Sequence, residues 1–320
     1  MKEDINLILA TRDDAELIHK MKYEAFLPLY ERYHDDETSP AKEDVEKVIR
    51  QLQEDTTDYY LINYQGNNVG AVRIRKKPDQ MIYISPLFIL PEYQNKGIGF
   101  VVIQLLFSKY SQAVTWRLDT ILQEKGNCHL YEKCGFIRRG KEKVINDKMA
   151  LVDYEKTVVT VRRYEDADAQ AVHNLIIRNI KEVNIRDYGE KAINELVKTH
   201  DVDWVRQVAS YANMYVLLHK QEIVGVGSIS SFWGSETESI ILTVFVLPEY
   251  HGMGIGRKII QILEQDELFT RAERIEIPAS ITGTEFYRKL GYDYKNGVKE
   301  LDDEGHYRLE KFQGKKEAVL

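Results

Sequence analysis

A chain of 320 residues with 19 Gly and 7 Pro, 43% hydrophobic and 10% aromatic, has the composition of packed globular protein, which excludes disordered and collagen-like material. At about 150 residues per domain the length suggests two domains, each able to bury a core. Lys and Arg number 44 against 51 Asp and Glu, a net charge of −7 with neither half basic; this argues against nucleic acid as a partner, whose binding is dominated by phosphate neutralisation, and suits a cationic or amine partner better.

The opening MKEDINLILA carries acids where a secretion signal needs a basic region before an apolar run, and no stretch approaches 18 uninterrupted apolar residues. The expectation is a soluble cytoplasmic protein with no membrane partner. INLILA reads as a strand, followed by a helix whose first turn is acidic at Asp13 and Asp14. A second helix is predicted over 41–53, with Ser39 as its cap, Pro40 at the first helical position, and Val45, Val48, Ile49 and Leu52 at helical spacing. DYYLINY and VGAVRIR form a hairpin around Gly66-Asn67-Asn68, and a buried strand over 81–90 enters a glycine loop followed by an apolar helix. Cys128 and Cys134 lack CxxC spacing and no HExxH occurs, so both thiols are expected to be reduced bystanders and no metal is expected. MALVDYEK at 149–156 reads as a closing strand. The order then repeats: a strand at VVTVRRY, a helix opened by Asp166 and Asp168, a helix over 189–199 extending toward 210, a hairpin around Gln221-Glu222, a strand over 239–247, a glycine loop, an apolar helix and a last strand over 306–312.

The repetition is literal at two places. LPEYQNKGIG at 90–99 returns as LPEYHGMGIG at 247–256, seven identities in ten at an offset of 157, and LYEKCGF at 130–136 returns as FYRKLGY at 286–292. Such order and spacing define an internal duplication with domains 1–156 and 157–320. A glycine loop between strand and helix can aim backbone N–H groups and the helix dipole at a phosphate. The GxxxxGK[ST] pattern is absent and GxGxxG with a later acid fits neither half, which disfavours nucleoside triphosphates and NAD.

QxxGxG at 94–99, preceded by LPEY and followed some thirty residues on by LYEKCGF, resembles the GNAT acyl-CoA N-acyltransferase family, and the second half resembles it too. The resemblance implies two tandem α/β folds, each a mixed sheet splayed beside the glycine loop, with acetyl-CoA as the cofactor. It implies cofactor contacts at Leu90, Gln94, Asn95, Lys96, Gly97, Ile98, Gly99 and Asn127 in the first half. In the second half they fall at Val246, His251, Gly252, Met253, Gly254, Ile255 and Gly256. Tyr131 and Tyr287 match the tyrosine that protonates the departing thiolate. Gly283 stands where the second half should carry the asparagine matching Asn127, and no carboxylate occupies the positions of the family's strand glutamate, which are Ser85, Tyr83, Leu242 and Ile240. The base is therefore unassigned.

The resemblance places the acceptor near the first two helices. Tyr23, Phe26 and Tyr30, with the acids Asp35, Asp36 and Glu37, suit an amine cation in the first half, and Glu238 is a candidate substrate contact in the second. The expected reaction is acetyl transfer to a primary amine of a small molecule or peptide, with the first half as the catalytic copy because it retains Asn127. The alternative is that one or both halves are non-catalytic, an acyl-CoA sensor or a structural partner. A tandem chain can satisfy internally the pairing that single domains achieve by dimerising, which favours a monomer over a dimer.

Overall fold

Two seven-stranded sheets are built by the same alternation of buried and exposed side chains along short β-branched and aromatic strands. They belong to two units, 1–158 and 159–320, in a computed structural model that describes residues 4–313. Unit 1 contains β1 (Ile5–Leu9), α1 (Ala15–Tyr33), α2 (Val45–Leu52), β2 (Thr57–Tyr64), β3 (Asn67–Lys77), β4 (Met81–Ile89), α3 (Ile98–Lys109), β5 (Thr115–Ile121), α4 (Lys125–Lys133), β6 (Ile137–Val144) and β7 (Ala150–Thr157). Unit 2 contains β8 (Thr160–Arg163), α5 (Ala169–Asn179), α6 (Ile185–Thr199), α7 (Val202–Tyr211), β9 (Asn213–His219), β10 (Glu222–Ser231), β11 (Glu238–Val246), α8 (Ile255–Leu263), α9 (Glu267–Thr270), β12 (Arg274–Ala279), α10 (Thr284–Arg288), β13 (Asp293–Tyr294) and β14 (Tyr307–Phe312). Among the described residues no helix is long and apolar enough to cross a membrane.

Three expectations shift. The segment Pro40–Lys42 is a single 3-10 turn capped by Ser39, and α2 starts only after Asp44, whose side chain accepts from the Lys47 N–H at 2.7 Å. The break has a cause: Glu43 and Asp44 are extended, and the Glu43 carboxylate is drawn to Lys22 of α1 at 2.7 Å. The hairpins turn on Gln65-Gly66 and Lys220-Gln221, each a pair of positive φ angles, the two-residue turn whose twist matches the strands it joins. In unit 2 the helix expected over 189–199 begins earlier, running from α5 through a π turn at Ile180–Asn184, breaking at Gly189 (φ 74°), and ending before Asp201 caps a separate α7.

The strand order of unit 1 is β1-β2-β3-β4-β5-β7-β6, antiparallel except where β4 runs parallel to β5. That pairing covers only Met81–Tyr83 against Thr115–Arg117; beyond it β4 continues to Ile89 without β5 and the strands part. Unit 2 repeats this in the order β13-β14-β12-β11-β10-β9-β8, with β11 parallel to β12 over Glu238–Ile240. A bulge interrupts the other side of the central strand in both units: Arg73 alone faces Ser85 and Pro86, and Gly227 alone faces Thr243 and Val244.

In unit 1 the α3 face buries Ile98, Val102, Ile103 and Leu106 against Ile74, Ile82, Ile84, Trp116 and Leu118. The opposite face packs Ala15, Ile18, Met21 and Val48 on Tyr59, Leu61, Ala71 and Phe88. Each fully buried aliphatic side chain contributes roughly 1.5–3 kcal/mol. Because successive strand residues alternate, Tyr83 and Ser85 of β4 and Arg117 and Asp119 of β5 all lie on the α1/α2 face. In unit 2, Gly227 admits α8 to the sheet, since a Cβ there would lie 2.3 Å from Ile259 Cγ2.

Candidate functional site

The glycine loops of the two units are shaped by identical devices. Leu90 and Leu247 are buried, their N–H groups donate to Val69 O and Val224 O at 2.8 and 3.0 Å, and their carbonyls accept from Tyr93 and Tyr250. Leu90 is thus a core residue whose N–H and carbonyl both carry backbone bonds that fix the start of the loop. Gln94 donates from Nε2 to Ile89 O at 2.8 Å, and His251 does the same to Val246 O at 2.8 Å. Gln94 thus ties its loop to the Ile89 carbonyl and His251 ties its loop to the Val246 carbonyl, each the last carbonyl of its strand. Asn95 and Gly97, and equally Gly252 and Gly254, take positive φ between 60° and 77°, where Asn and Gly are the tolerated residues.

Gly97 and Gly254 cap α3 and α8, so the first N–H groups of each helix have no intrahelical partner and are available to an anion. Ile98 and Ile255 bury their side chains in the core, leaving only their amides for a ligand. The last glycine of each loop has another task. A Cβ at Gly99 would lie 3.0 Å from Leu130 Cδ2, and one at Gly256 3.3 Å from Phe286 Cζ, so these glycines let α3 and α8 approach the helix carrying the tyrosine. Lys96 lies over the Tyr93 ring at 5.0 Å, and Met253 packs partly against the core.

Tyr131 on α4 and Tyr287 on α10 are both buried, and neither hydroxyl has a hydrogen-bond partner among the described residues. Burial pushes both phenols well above the ordinary tyrosine range, with the Asp119 carboxylate adding to the effect on Tyr131, so both remain protonated and able to donate. Asn127 is exposed on the first turn of α4. Its counterpart Gly283 is tied to Ser280 by its N–H, and a Cβ there would meet Ser280 Oγ at 2.9 Å, so an asparagine does not fit without moving that serine.

The chief residue missed in sequence is Asp119. Tyr83 donates its hydroxyl to Asp119 Oδ1 at 2.5 Å, across the point where β4 and β5 part. Burial, and then the Asp119 carboxylate, raise the Tyr83 phenol, which stays protonated. The signal was available in TWRLDTI, whose alternation sends Trp116 and Leu118 inward and Arg117 and Asp119 outward. The register of unit 2 sets Pro278 in that position.

Glu238, expected as a substrate contact, is held in an ion pair. Arg274 donates to both its oxygens at 3.0 Å and also reaches Glu276 at 2.8 Å and Glu310 at 3.4 Å. Buried Glu276 further receives Lys295 at 2.8 Å. Nearby, Asp302 and Glu304 are paired with Arg308.

The acceptor residues expected in unit 1 scatter. Tyr23 is 46% exposed, Phe26 meets the Phe88 ring edge-on at 5.9 Å, and Tyr30 donates to Asp36 at 2.9 Å. Asp36 is also paired with Lys42 at 2.7 Å, and Asp35 accepts from the N–H groups of Glu37 and Thr38. Asp35 and Asp36 are therefore already engaged and do not stand open to an amine cation. Cys128 and Cys134 are buried free thiols. An open groove of about 410 Å³ in unit 2, lined by Arg162, Asp168, Arg178 and Leu247, includes neither Tyr287 nor the glycine loop and is separate from this site.

Strand, doubly left-handed loop, helix and buried donor tyrosine recur in both units, and the comparisons agree with that pattern. The Acetyltransferase (GNAT) family model matches residues 23–136 and the Acetyltransferase (GNAT) domain model matches 210–294, together more than half of the chain. The chain belongs to the GNAT acetyltransferase family, with two such domains in tandem. No curated protein matches it. Similar solved structures include the microcin C7 self-immunity acetyltransferase with acetyl-CoA and AMP, at 17% identity over 49% of this chain and 93% of that one, TM-score 0.41. The spermidine N-acetyltransferase from Vibrio cholerae with CoA and spermine is 18% identical over 48% and 96%, TM-score 0.41. An N-acetyltransferase from Thermoplasma acidophilum with coenzyme A is 14% identical over 49% and 100%, TM-score 0.42.

Proposed function

We propose that unit 1 transfers an acetyl group from acetyl-CoA to the amine of a small molecule or peptide. The observation that carries this reading is the Tyr83–Asp119 pair at the parting of β4 and β5, with the protonated Tyr131 close enough to feel the Asp119 charge. The paired left-handed residues and helix start of each loop fit an anion such as the cofactor's pyrophosphate, through the amides of 97–99 and 254–256. Acetyl-CoA supplies the activated thioester. Asp119 accepts a proton from the ammonium, freeing the nitrogen lone pair to attack, and Tyr131 returns a proton to the departing sulfur.

The second reading concerns unit 2 alone, as an acyl-CoA-binding or structural partner. Pro278 in the place of Asp119, beside the Arg274 ion-pair network, favours it. Release of free CoA thiol, followed for the full chain over a panel of amines, tests both readings. Asp119→Asn is expected to lower turnover by about 10²–10⁴, the usual weight of a general base, with acetyl-CoA affinity unchanged. Undiminished turnover would remove Asp119 from the chemistry, and loss of activity on Tyr287→Phe but not Tyr131→Phe would move the catalytic site to unit 2.

A further inference from the structure

Arg73 stands on the α1/α2 face of β3, alone opposite the bulge. Its Nε donates to Ser85 O at 2.5 Å, and its two Nη groups have no hydrogen bond or ion pair among the described residues. Directly across the strand pair is Tyr59, 2% exposed, whose buried hydroxyl has no partner. Lys22 of α1, fully buried, pairs with Glu43 at 2.7 Å, and Glu43 also takes Lys47 at 2.8 Å. The cluster thus holds two inward cations, Lys22 and Arg73, against one carboxylate that two lysines already share; Glu54 and Arg75 add opposite charges around Arg73. A half-buried guanidinium with unused donors and a buried hydroxyl without a partner each cost free energy, and one anion relieves both. The guanidinium fork matches a carboxylate.

Unit 2 supplies the control. There Ser228 donates from Oγ to Leu242 O at 3.1 Å, the same contact with the bulged strand that Arg73 makes, and Met214 faces Ser228 where Tyr59 faces Arg73. Tying down the bulge therefore does not require an arginine. Ser85 and Tyr83, whose partners Arg73 and Asp119 carry opposite charges, are two strand residues apart on one face, about 7 Å.

We propose that the acceptor of unit 1 is a free amino acid, its carboxylate held by the Arg73 guanidinium and the Tyr59 hydroxyl and its amine turned toward Asp119. This rests on the reading of unit 1 as an amine acetyltransferase. The test uses full-length protein and pairs of amines that differ only by the carboxylate: L-lysine with cadaverine, L-ornithine with putrescine, L-tyrosine with tyramine. At least one amino acid is expected to exceed its decarboxylated partner in kcat/KM by about 10- to 100-fold, the weight of a charge-assisted pair. Arg73→Gln is expected to abolish that preference, bringing kcat/KM for the amino acid down to that of its decarboxylated partner, and Arg73→Lys, which keeps the charge, to restore part of it.

Tyr59→Phe, which removes only an unpartnered hydroxyl, is expected to raise KM several-fold with Tm unchanged or higher. Calorimetric titration of the same compounds in the presence of CoA gives a readout independent of turnover. Preference for decarboxylated amines, or a preference that survives Arg73→Gln, overturns the proposal and leaves acetyl transfer standing. Carboxylate-dependent binding lost in Arg73→Gln, with no amine turned over, supports the anion site and overturns the transferase reading. Absence of both binding and turnover overturns both.

Discussion

The two units keep one face of their sheets alike and differ on the other. Both hold the glycine loop by a side chain on the last carbonyl of the central strand, Gln94 in one and His251 in the other, and both bury a tyrosine with a free hydroxyl. On the opposite face, unit 1 presents Tyr83, Asp119 and Arg73, polar groups with donors or acceptors left for a ligand, while unit 2 has Ile240, Pro278 and Ser228 in the corresponding places. Around them Arg274, Glu238, Glu276, Glu310 and Lys295 neutralise one another. One feature runs the other way: Pro86 offers no N–H at the bulge of unit 1, whereas Thr243 retains one. The loop geometry is fixed by backbone conformation, so duplication preserves it; side chains on an acceptor face carry no such constraint and can drift or be sealed.

The sharpest way to break this contrast is to delete each tyrosine separately. Tyr131→Phe is expected to slow turnover by about 10²–10⁴, and Tyr287→Phe to leave it unchanged; steady-state rates at saturating acetyl-CoA decide the matter. Equal losses would make both units catalytic. Stability offers a comparable contrast. Arg274 is 13% exposed and its removal takes from Glu276, 2% exposed, one of two counter-charges at 2.8 Å while Lys295 remains, so Arg274→Ala is expected to cost about 1.5–3 kcal/mol. Arg117 of unit 1 is 50% exposed in its pair with Glu155, and Arg117→Ala is expected to cost about 1 kcal/mol or less. Urea unfolding of the two variants measures the difference, and a small loss for Arg274→Ala would show that the network is dispensable.

The duplication, the strand–loop–helix units and the tyrosines were legible in sequence because each rests on local chemistry: positive φ at a glycine, an apolar helix face, a turn. The register of β4 against β5 was not, since a parallel pair joins residues more than thirty positions apart and no local pattern states which side chains it brings together. Asp119 was hidden for that reason, and so was the Glu238–Arg274 pair, whose partners are 36 positions apart. Helix ends failed where a tertiary contact overrode a cap: Ser39-Pro40 is a sound start signal, yet the Lys22–Glu43 pair pulls the chain extended before Asp44 restarts it. The bonds of Gln94 and His251 were hidden in another way, because a polar side chain in an anion-binding loop reads as a ligand and nothing local shows that it also reaches the last carbonyl of the preceding strand.

Calorimetry with acetyl-CoA probes the face the units share. Two sites are expected for the full chain. Gly97→Ala and Gly254→Ala each force a left-handed alanine at φ 75° and 77°, costing about 1–2 kcal/mol, and each is expected to remove one site and leave the other. A single site in the parent protein, lost in only one variant, would make the other loop a structural relic.

The smallest expected difference is in acid. In unit 2 the hydrogen-bonded arginines Arg162, Arg274 and Arg178 hold Asp168, Glu238 and Glu249 below the usual carboxylate range. Burial of Asp302 is outweighed by its backbone and Arg308 bonds, to the same effect. In unit 1 burial alone would raise Glu43, but Lys22 and Lys47 more than offset it, and Asp36 is lowered by Lys42. A carboxyl whose folded pKa lies below its unfolded value near 4 contributes stability above that value, and the contribution disappears as pH falls through the folded pKa, because the unfolded chain then binds more protons. Unit 2 has more such groups and should therefore lose stability first between about pH 4 and pH 2, although partial exposure of Glu238 and Glu249 screens the effect. Trp116 reports on unit 1 and Trp204 and Trp233 on unit 2, so urea midpoints of single-unit tryptophan variants at pH 7 and pH 3 separate the two. Earlier acid loss in unit 1 would mean that the buried Lys22–Glu43 pair, with Arg73 beside it, outweighs all the arginine pairs of unit 2.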